Sequence, residues 1–122
     1  MHKKYSELGY ISGLFDSKGS MKIEKDSLLV WITVEDFKVV EFLQRFGAVV
    51  AKRSDGKFKA KWKDKRAGEL LEAMLPYLIV KRDQADLGVE FAEFKANKAD
   101  PKTYVLPLQV RLRLLKKDEP EE

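Results

Sequence analysis

The segment from Lys57 to Lys63 restricts the fold most, because its lysines alternate strictly with Phe58, Ala60 and Trp62. Successive side chains of a β-strand point to opposite faces of the sheet, so one face here carries four lysines and the other carries two aromatic rings and an alanine. Four like charges along one strand repel each other unless an anion neutralises them. The segment predicts a sheet with one buried face and one basic face, which suits either a solvated surface or a polyanion.

The rest of the chain predicts further strands and helices around this segment. Apolar residues recur at every second position in 20–25 and 27–34, which indicates two strands joined by a tight turn at Asp26. A helical stripe runs from Asp36, a typical helix N-cap, to Gly47, and residues 49–53 and 58–63 predict a second hairpin that turns at 54–56. Further helices are expected near residues 6–15, 66–75 and 82–95, with Pro76 between the last two. The order is α-β-β-α-β-β-α-α, an α+β fold.

We expect one domain over residues 1–98 and a C-terminal extension over 99–122 whose end is disordered. In the extension, Val and Leu alternate with other residues from Tyr104 to Leu115, which favours a strand-like or extended segment docked on the domain. The chain has no Cys, which excludes disulfides and thiolate metal sites, and its single His is at position 2. No long uncharged apolar run or signal peptide is present, so we expect a cytoplasmic protein without a membrane partner.

The first predicted helix contains Gly9 and Gly13, which are four residues apart and therefore lie on one face. A glycine inside a helix costs about 1 kcal/mol relative to alanine, so two of them need an explanation. Small residues on one face let another backbone approach closely, and Ser12 and Asp16 flank this strip. The sequence leaves two explanations open: close packing within the domain, or packing against a second copy of the chain.

Residues Ile11 to Gly19, ISGLFDSKG, resemble the nine-residue signature of the LAGLIDADG homing endonucleases. The stretch from Leu75 to Leu87 is similar to a later segment of that family, in which a Pro-aromatic-Leu run precedes a lysine and a Gln-Ala-x-Leu helix. The resemblance implies the family's αββαββα fold, whose two hairpins form a curved antiparallel sheet that lies in the DNA major groove. A chain with one motif is then expected to act as a homodimer on a palindromic or nearly palindromic double-stranded site, joined through Gly9, Ser12, Gly13 and Asp16.

The resemblance also assigns DNA contacts to one face of each hairpin. The lysine face belongs to the second hairpin, and on the first hairpin the equivalent face is expected to carry Ser20, Lys22 and Glu24 and then Leu29, Trp31 and Thr33, although the opposite assignment stays open. Lysines mainly supply affinity for phosphates, whereas Arg53, Glu24 and Thr33 are suited to discriminate bases. The predicted DNA-binding residues are Lys22, Glu24, Trp31, Thr33, Arg53, Lys57, Lys59, Lys61 and Lys63.

The predicted cleavage activity depends on Lys18. In active members of the family, the eighth signature residue is an acid that binds Mg²⁺ at the scissile phosphate, and here that position is Lys18. A protonated lysine cannot be a metal ligand, so we expect DNA binding with inefficient or no cleavage, and no productively bound Mg²⁺. Lys81 aligns with a lysine that approaches the active centre, although an ordinary solvated lysine is the alternative. Whether Lys18 is natural or an inactivating substitution stays open.

Other functions are compatible with the same residues. A family member without cleavage activity is expected to serve as a transcription regulator or an RNA-splicing maturase. A different class is a basic protein-interaction domain that binds an acidic partner, for which the acidic end of the chain, residues 118–122, would be a competitor.

Overall fold

A computed structural model describes the backbone of residues 2–117 and the side chains from residue 5 onward. The helices and strands follow the predicted order, with a short 3-10 helix at Leu75–Tyr77. They are α1 (His2–Lys18), β1 (Gly19–Glu24), β2 (Ser27–Val34), α2 (Phe37–Arg45), β3 (Val49–Lys52), β4 (Phe58–Lys63), α3 (Lys65–Met74), α4 (Arg82–Ala96) and α5 (Pro101–Lys117). The predicted α+β class is confirmed.

The four strands form one antiparallel sheet in the order β1-β2-β4-β3. Each predicted hairpin is present, and the two hairpins join where β2 pairs with β4. Trp31 lies opposite Lys61 across that junction, and Lys61 in turn lies opposite Val49 of β3. Because directly paired residues point to the same face, this register determines which side chains of all four strands share a surface.

The helices cover one face of the sheet and form the hydrophobic core with it. The apolar residues at alternate strand positions are buried there: Met21, Ile23, Leu28, Val30, Ile32, Val34, Ala60 and Trp62. The indole of Trp62 donates a hydrogen bond of 2.9 Å from Nε1 to the carbonyl of Phe46, which ties β4 to the end of α2. The buried polar atom of this large side chain is therefore satisfied, as a closed core requires.

Helix α1 is longer than predicted, since it begins at His2 rather than near Ser6 and continues to Lys18. Gly19 then starts β1 without an intervening loop. A Cβ built on Gly19 would lie 2.2 Å from Cδ1 of Phe15, a buried residue of α1. The direct passage from helix to strand therefore depends on the missing side chain at position 19.

The prediction of a strand-like or extended segment at residues 104–115 was wrong, because this stretch lies in α5. Its buried residues, Tyr104, Leu108 and Leu112, are four apart, which is the spacing of one helix face rather than of a strand. Gln109 Nε2 donates a 2.9 Å hydrogen bond to the carbonyl of Ile23, and Lys116 Nζ donates to the carbonyl of Met21. Helix α5 therefore shares the core and supplies hydrogen-bond donors to the edge strand β1.

Residues 118–122, where the acidic end and a disordered terminus were expected, lie outside the described residues. Within residues 2–117, no helix is both long and apolar enough to cross a membrane.

Candidate nucleic-acid interface

The face of the sheet opposite the helices carries the predicted basic surface. Strand β4 places Lys59, Lys61 and Lys63 on this face, and Lys57, directly before the strand, continues their alternation, while Phe58, Ala60 and Trp62 point toward the helices. Burial on β1 and β2 alternates in the predicted sense, so Ser20, Lys22, Glu24, Leu29, Trp31 and Thr33 lie on the same face as the lysines. The assignment that the sequence left open for the first hairpin is thereby resolved.

Strand register arranges this open face in parallel columns. Lys57 and the three lysines of β4 are here called the lysine column, and the three in β4 have Leu29, Trp31 and Thr33 of β2 on one side. On the other side they have Val49 and Ala51 of β3, with Arg53 just beyond the strand end. Neighbouring strands are about 4.8 Å apart, so every lysine of the column has a cross-strand neighbour within reach of its stem.

Among the residues that the structure describes, the acidic side chains of the open face lie at its margins. Lys22 pairs with Glu24 at 3.3 Å, and Arg53 pairs with Asp55 at 3.1 Å. A third ion pair at the margin of the open face joins Lys57 to Glu35 at 3.6 Å. Lys59, Lys61 and Lys63 have no acidic partner among the ion pairs of the described residues, so the centre of the face is a region of uncompensated positive charge that favours an anionic ligand.

Lys59 has an aromatic neighbour instead of an acid. Its Nζ lies 4.5 Å from the centroid of the Trp31 ring, which is a cation–π distance. Trp31 is half-buried and sits at the centre of the face, between Ser20 of β1 and Lys61 of β4. The indole therefore holds the lysine over the sheet while part of its own ring remains exposed.

The C-terminal end of α1 meets a segment that is more than sixty residues away in the sequence. The carboxylate of Asp16 accepts hydrogen bonds from the backbone amides of Ile79 at 2.8 Å and Lys81 at 2.9 Å. Lys81 Nζ donates a 2.9 Å hydrogen bond to the carbonyl of Asp16. Lys81 is only 9% exposed, so it is not the ordinary solvated lysine that the sequence left as an alternative.

The charged groups at this end of α1 do not fit a magnesium site. Both Asp16 carboxylate oxygens are used by backbone amides, and Lys18 and Lys81 carry ammonium groups, which cannot be metal ligands while protonated. Among the described residues, no group of three or more His, Cys, Asp or Glu side chains is placed to hold a metal ion. The donor set here suits the binding of an anion and not of a divalent cation.

The glycine strip of α1 is open in the single chain. A Cβ added at Gly9 or Gly13 would meet nothing within 4 Å, so close packing inside the domain does not explain these glycines. Tyr5, one turn before Gly9 on the same face, is exposed as well. The other two predicted interface residues lie elsewhere: Ser12 is fully buried, and Asp16 binds the segment at 79–81.

Some residues of the open face were missed by sequence reasoning. Val49 and Ala51 share the face with the lysine column, and Glu35 pairs with Lys57 at its margin. The alternation of β3 over four residues is too short to assign its faces, and only the pairing of Val49 with Lys61 does so. Lys52, by contrast, pairs with Phe58 and so points away from this face, although it belongs to the same basic stretch of sequence.

Alignments with similar solved structures extend over the whole length of this chain. One is the homing endonuclease I-CvuI in complex with the I-CreI target in the presence of magnesium, with DNA not cleaved; the TM-score is 0.82 and the identity 19%, over 100% of this chain and 89% of that one. Another is I-CvuI in complex with its own target in the presence of calcium, with a TM-score of 0.82 and 18% identity over the same shares. The chain therefore has the homing-endonuclease fold. No family model and no curated protein matches the sequence.

Proposed function

We propose that this chain binds double-stranded DNA sequence-specifically through the open face of its sheet, as a homodimer that cleaves its site poorly or not at all. The observation that carries the proposal is the lysine column, whose central members have no acidic partner among the described ion pairs and lie between side chains suited to base edges. A two-stranded β-ribbon fits the major groove, and its alternate side chains then reach bases and phosphates. The neighbours of the same fold are DNA complexes, which supports this choice of ligand.

The homodimer is supported by the open glycine strip. Glycines at positions 9 and 13 cost helix stability, and the single chain gives them no packing partner. A second copy of α1 on this strip would use the space and place two sheets about a two-fold axis. Such a dimer binds a palindromic or nearly palindromic site, with one half-site per subunit.

Impaired cleavage follows from the groups at the end of α1. Lys18 and Lys81 bring two ammonium groups to the region where the family resemblance expects the scissile phosphate. Lys18, which is exposed, would stabilise a bound phosphate by direct charge pairing, and the buried Lys81 adds positive charge behind it, whereas the Asp16 carboxylate holds the backbone amides of the 79–81 segment. We therefore expect the duplex to be held and left intact.

The first test selects bound duplexes from a random DNA library at physiological salt with Mg²⁺. The expected result is an uncut consensus with two-fold symmetry, bound by a dimer in sedimentation measurements. Equal affinity for all duplexes, together with a preference for an acidic protein, would contradict the proposal.

Gly13→Arg should abolish dimerisation and specific binding while the fold is retained, because the space around Gly13 is open. Gln44→Arg, which adds the same charge on the exposed side of α2, is the matched control.

The second test concerns cleavage of the selected site in Mg²⁺. Lys18→Glu restores a carboxylate and should cut faster than the unmodified chain, and Lys18→Gln, which removes the charge without adding a ligand, should not. Equal cleavage rates for the unmodified chain and Lys18→Glu would contradict the proposed impairment of cleavage. The proposed DNA binding would not be contradicted by that result.

A further inference from the structure

The lysine column is flanked on both sides by apolar side chains. Leu29 and Trp31 of β2 lie on one side and Val49 and Ala51 of β3 on the other, all on the open face. Val49 is 68% exposed although it is a strongly apolar residue in a sheet. Its cross-strand neighbour is Lys61, whose long polar side chain leaves the isopropyl group uncovered. Core packing does not account for an apolar group in this position.

The open face also carries mainly hydrogen-bond donors. Its strand positions supply ammonium and hydroxyl donors, Arg53 adds a guanidinium just beyond the end of β3, and its acids pair with cations at the margins. None of these positions is Asn or Gln, the residues that make paired hydrogen bonds to adenine. The face therefore suits bases that present acceptors and apolar groups in the major groove.

Thymine is the base that presents both groups there, since its O4 acceptor lies beside its 5-methyl group. Guanine offers acceptors without a methyl group, and cytosine and adenine each present an amino donor that the ammonium groups would oppose. A lysine next to an apolar side chain on the neighbouring strand matches the adjacent acceptor and methyl of one thymine edge.

We infer that the apolar columns of the open face, Val49 and Ala51 together with Leu29 and Trp31, select thymines in each half-site by contact with their 5-methyl groups. The lysine column donates to the neighbouring keto oxygens. This inference rests on the proposed DNA binding and adds the chemistry by which bases are distinguished. It assigns a specificity role to Val49 and Ala51 of β3, the shortest strand of the sheet.

The experiment replaces the thymines of the selected consensus with deoxyuridine, one at a time. Deoxyuridine differs from thymidine only by the missing methyl group, so base pairing and the O4 acceptor are retained. Affinities of the full chain are compared by fluorescence anisotropy at fixed salt. We expect at least two positions per half-site at which the affinity falls by about threefold to fourfold, the value of one buried methyl group.

A double-mutant cycle then assigns the contact to its side chain. Val49→Ser should weaken binding to the thymine duplex and make binding insensitive to deoxyuridine at one position, because the methyl group has lost its partner. Leu106→Ser, at a residue of α5 that is 64% exposed and distant from the sheet's open face, should leave both affinities unchanged. Ala51→Ser repeats the cycle if Val49→Ser lowers the melting temperature.

The outcomes separate this inference from the proposed function. A consensus without thymines, or one in which no deoxyuridine substitution changes the affinity, would overturn the inference while leaving sequence-specific DNA binding intact. Equal effects of Val49→Ser on thymine and deoxyuridine duplexes at every position would overturn the assignment to β3. Recovery of no consensus at all would contradict the proposed function itself.

Discussion

The two faces of the sheet differ although they are built from alternate residues of the same strands. On β4, Trp62 is 2% exposed and packs under the helices, whereas Lys61 and Lys63 on either side of it are exposed on the open face. The helix-covered face is apolar and continuous with the core, and the open face is basic. Adjacent positions of one strand therefore differ in environment, since one face contributes to the core and the other presents exposed positive charge.

Polar groups show the same contrast. On the helix side several of them are paired over long sequence distances, as Trp62 is with Phe46 and Asp16 is with the amides of Ile79 and Lys81. On the open face the ion pairs are exposed and mostly local, and exposed pairs of this kind contribute about 0–1 kcal/mol. The open face thus adds little to folding and is available for binding, which makes the comparison testable by substitution on each side.

The largest effect on stability is expected at Trp62. Trp62→Ala removes a fully packed ring and its hydrogen bond to Phe46, and should lower the free energy of unfolding by about 3–5 kcal/mol in urea denaturation. Trp31→Ala removes the same side chain from the half-exposed side of the neighbouring strand and should cost less than half as much. Equal losses for the two tryptophans would mean that the faces do not differ as described.

A smaller loss is expected at Asp16. Asp16→Ala leaves the amides of Ile79 and Lys81 without their carboxylate acceptor, and should lower the free energy of unfolding by about 2–3 kcal/mol. The same two amides should exchange hydrogen faster with solvent, since their protection depends on this carboxylate. Asp86→Ala, at an exposed position of α4, is the control and should change stability by less than about 0.5 kcal/mol. Unchanged exchange at residues 79 and 81 would contradict the role given to Asp16.

The strands were predicted well because their period of two is a local property. The bounds of β2 and β4 agree with the sequence, and Asp36 caps α2 as predicted, its carboxylate accepting from the amide of Lys38 at 2.7 Å. Both hairpins likewise follow from turn residues and alternation. Each of these features depends on neighbours a few residues apart, which is the range that a single sequence reveals.

The wrong prediction concerns a segment whose conformation is determined by contacts with residues distant in the sequence. In α5, the run from Tyr104 to Leu115 satisfies a period of two and a spacing of four at once, and only docking on α4 and β1 selects the helix. The partners of Asp16, which are 63 and 65 residues away, and the face of Val49, which is set by its pairing with Lys61, likewise depend on contacts that a single sequence does not reveal. The sequence therefore identified the basic strand and an expected face of the first hairpin, and left the neighbours of that strand on β3 undefined.

A gain in stability is expected on the helix side at Ser12. Its hydroxyl is fully buried in α1 and has no hydrogen-bond partner in the described residues, which costs folding free energy. Ser12→Ala should therefore raise the free energy of unfolding by about 1 kcal/mol. Ser17→Ala, in the same helix but exposed and bonded to the carbonyl of Gly13, should give at most half that gain. A loss of stability in Ser12→Ala would show that the hydroxyl has a partner in solution.

The smallest effect on folding is expected from the open face, where Lys59, Lys61 and Lys63 are replaced together by glutamine. The free energy of unfolding should change by no more than about 0.5 kcal/mol, because these ammonium groups have no acidic partner to lose, and relief of their mutual repulsion offsets the lost contact of Lys59 with the Trp31 ring. DNA affinity should nevertheless fall. Because the proposed dimer loses six cations, at about 0.9 per cation that contacts the DNA, the slope of log affinity against log salt should become about 5.4 units shallower.

Replacing Lys65, Lys98 and Lys102 by glutamine makes the same change in net charge at exposed positions outside the strands. This control should leave the salt slope nearly unchanged, because only cations held against the DNA release counterions. If both triple variants reduced the slope equally, net charge alone would govern DNA affinity. The open face would then have no greater part in binding than the helix-covered side, although the strand register places Lys59, Lys61 and Lys63 beside Thr33, Trp31 and Leu29 on that face.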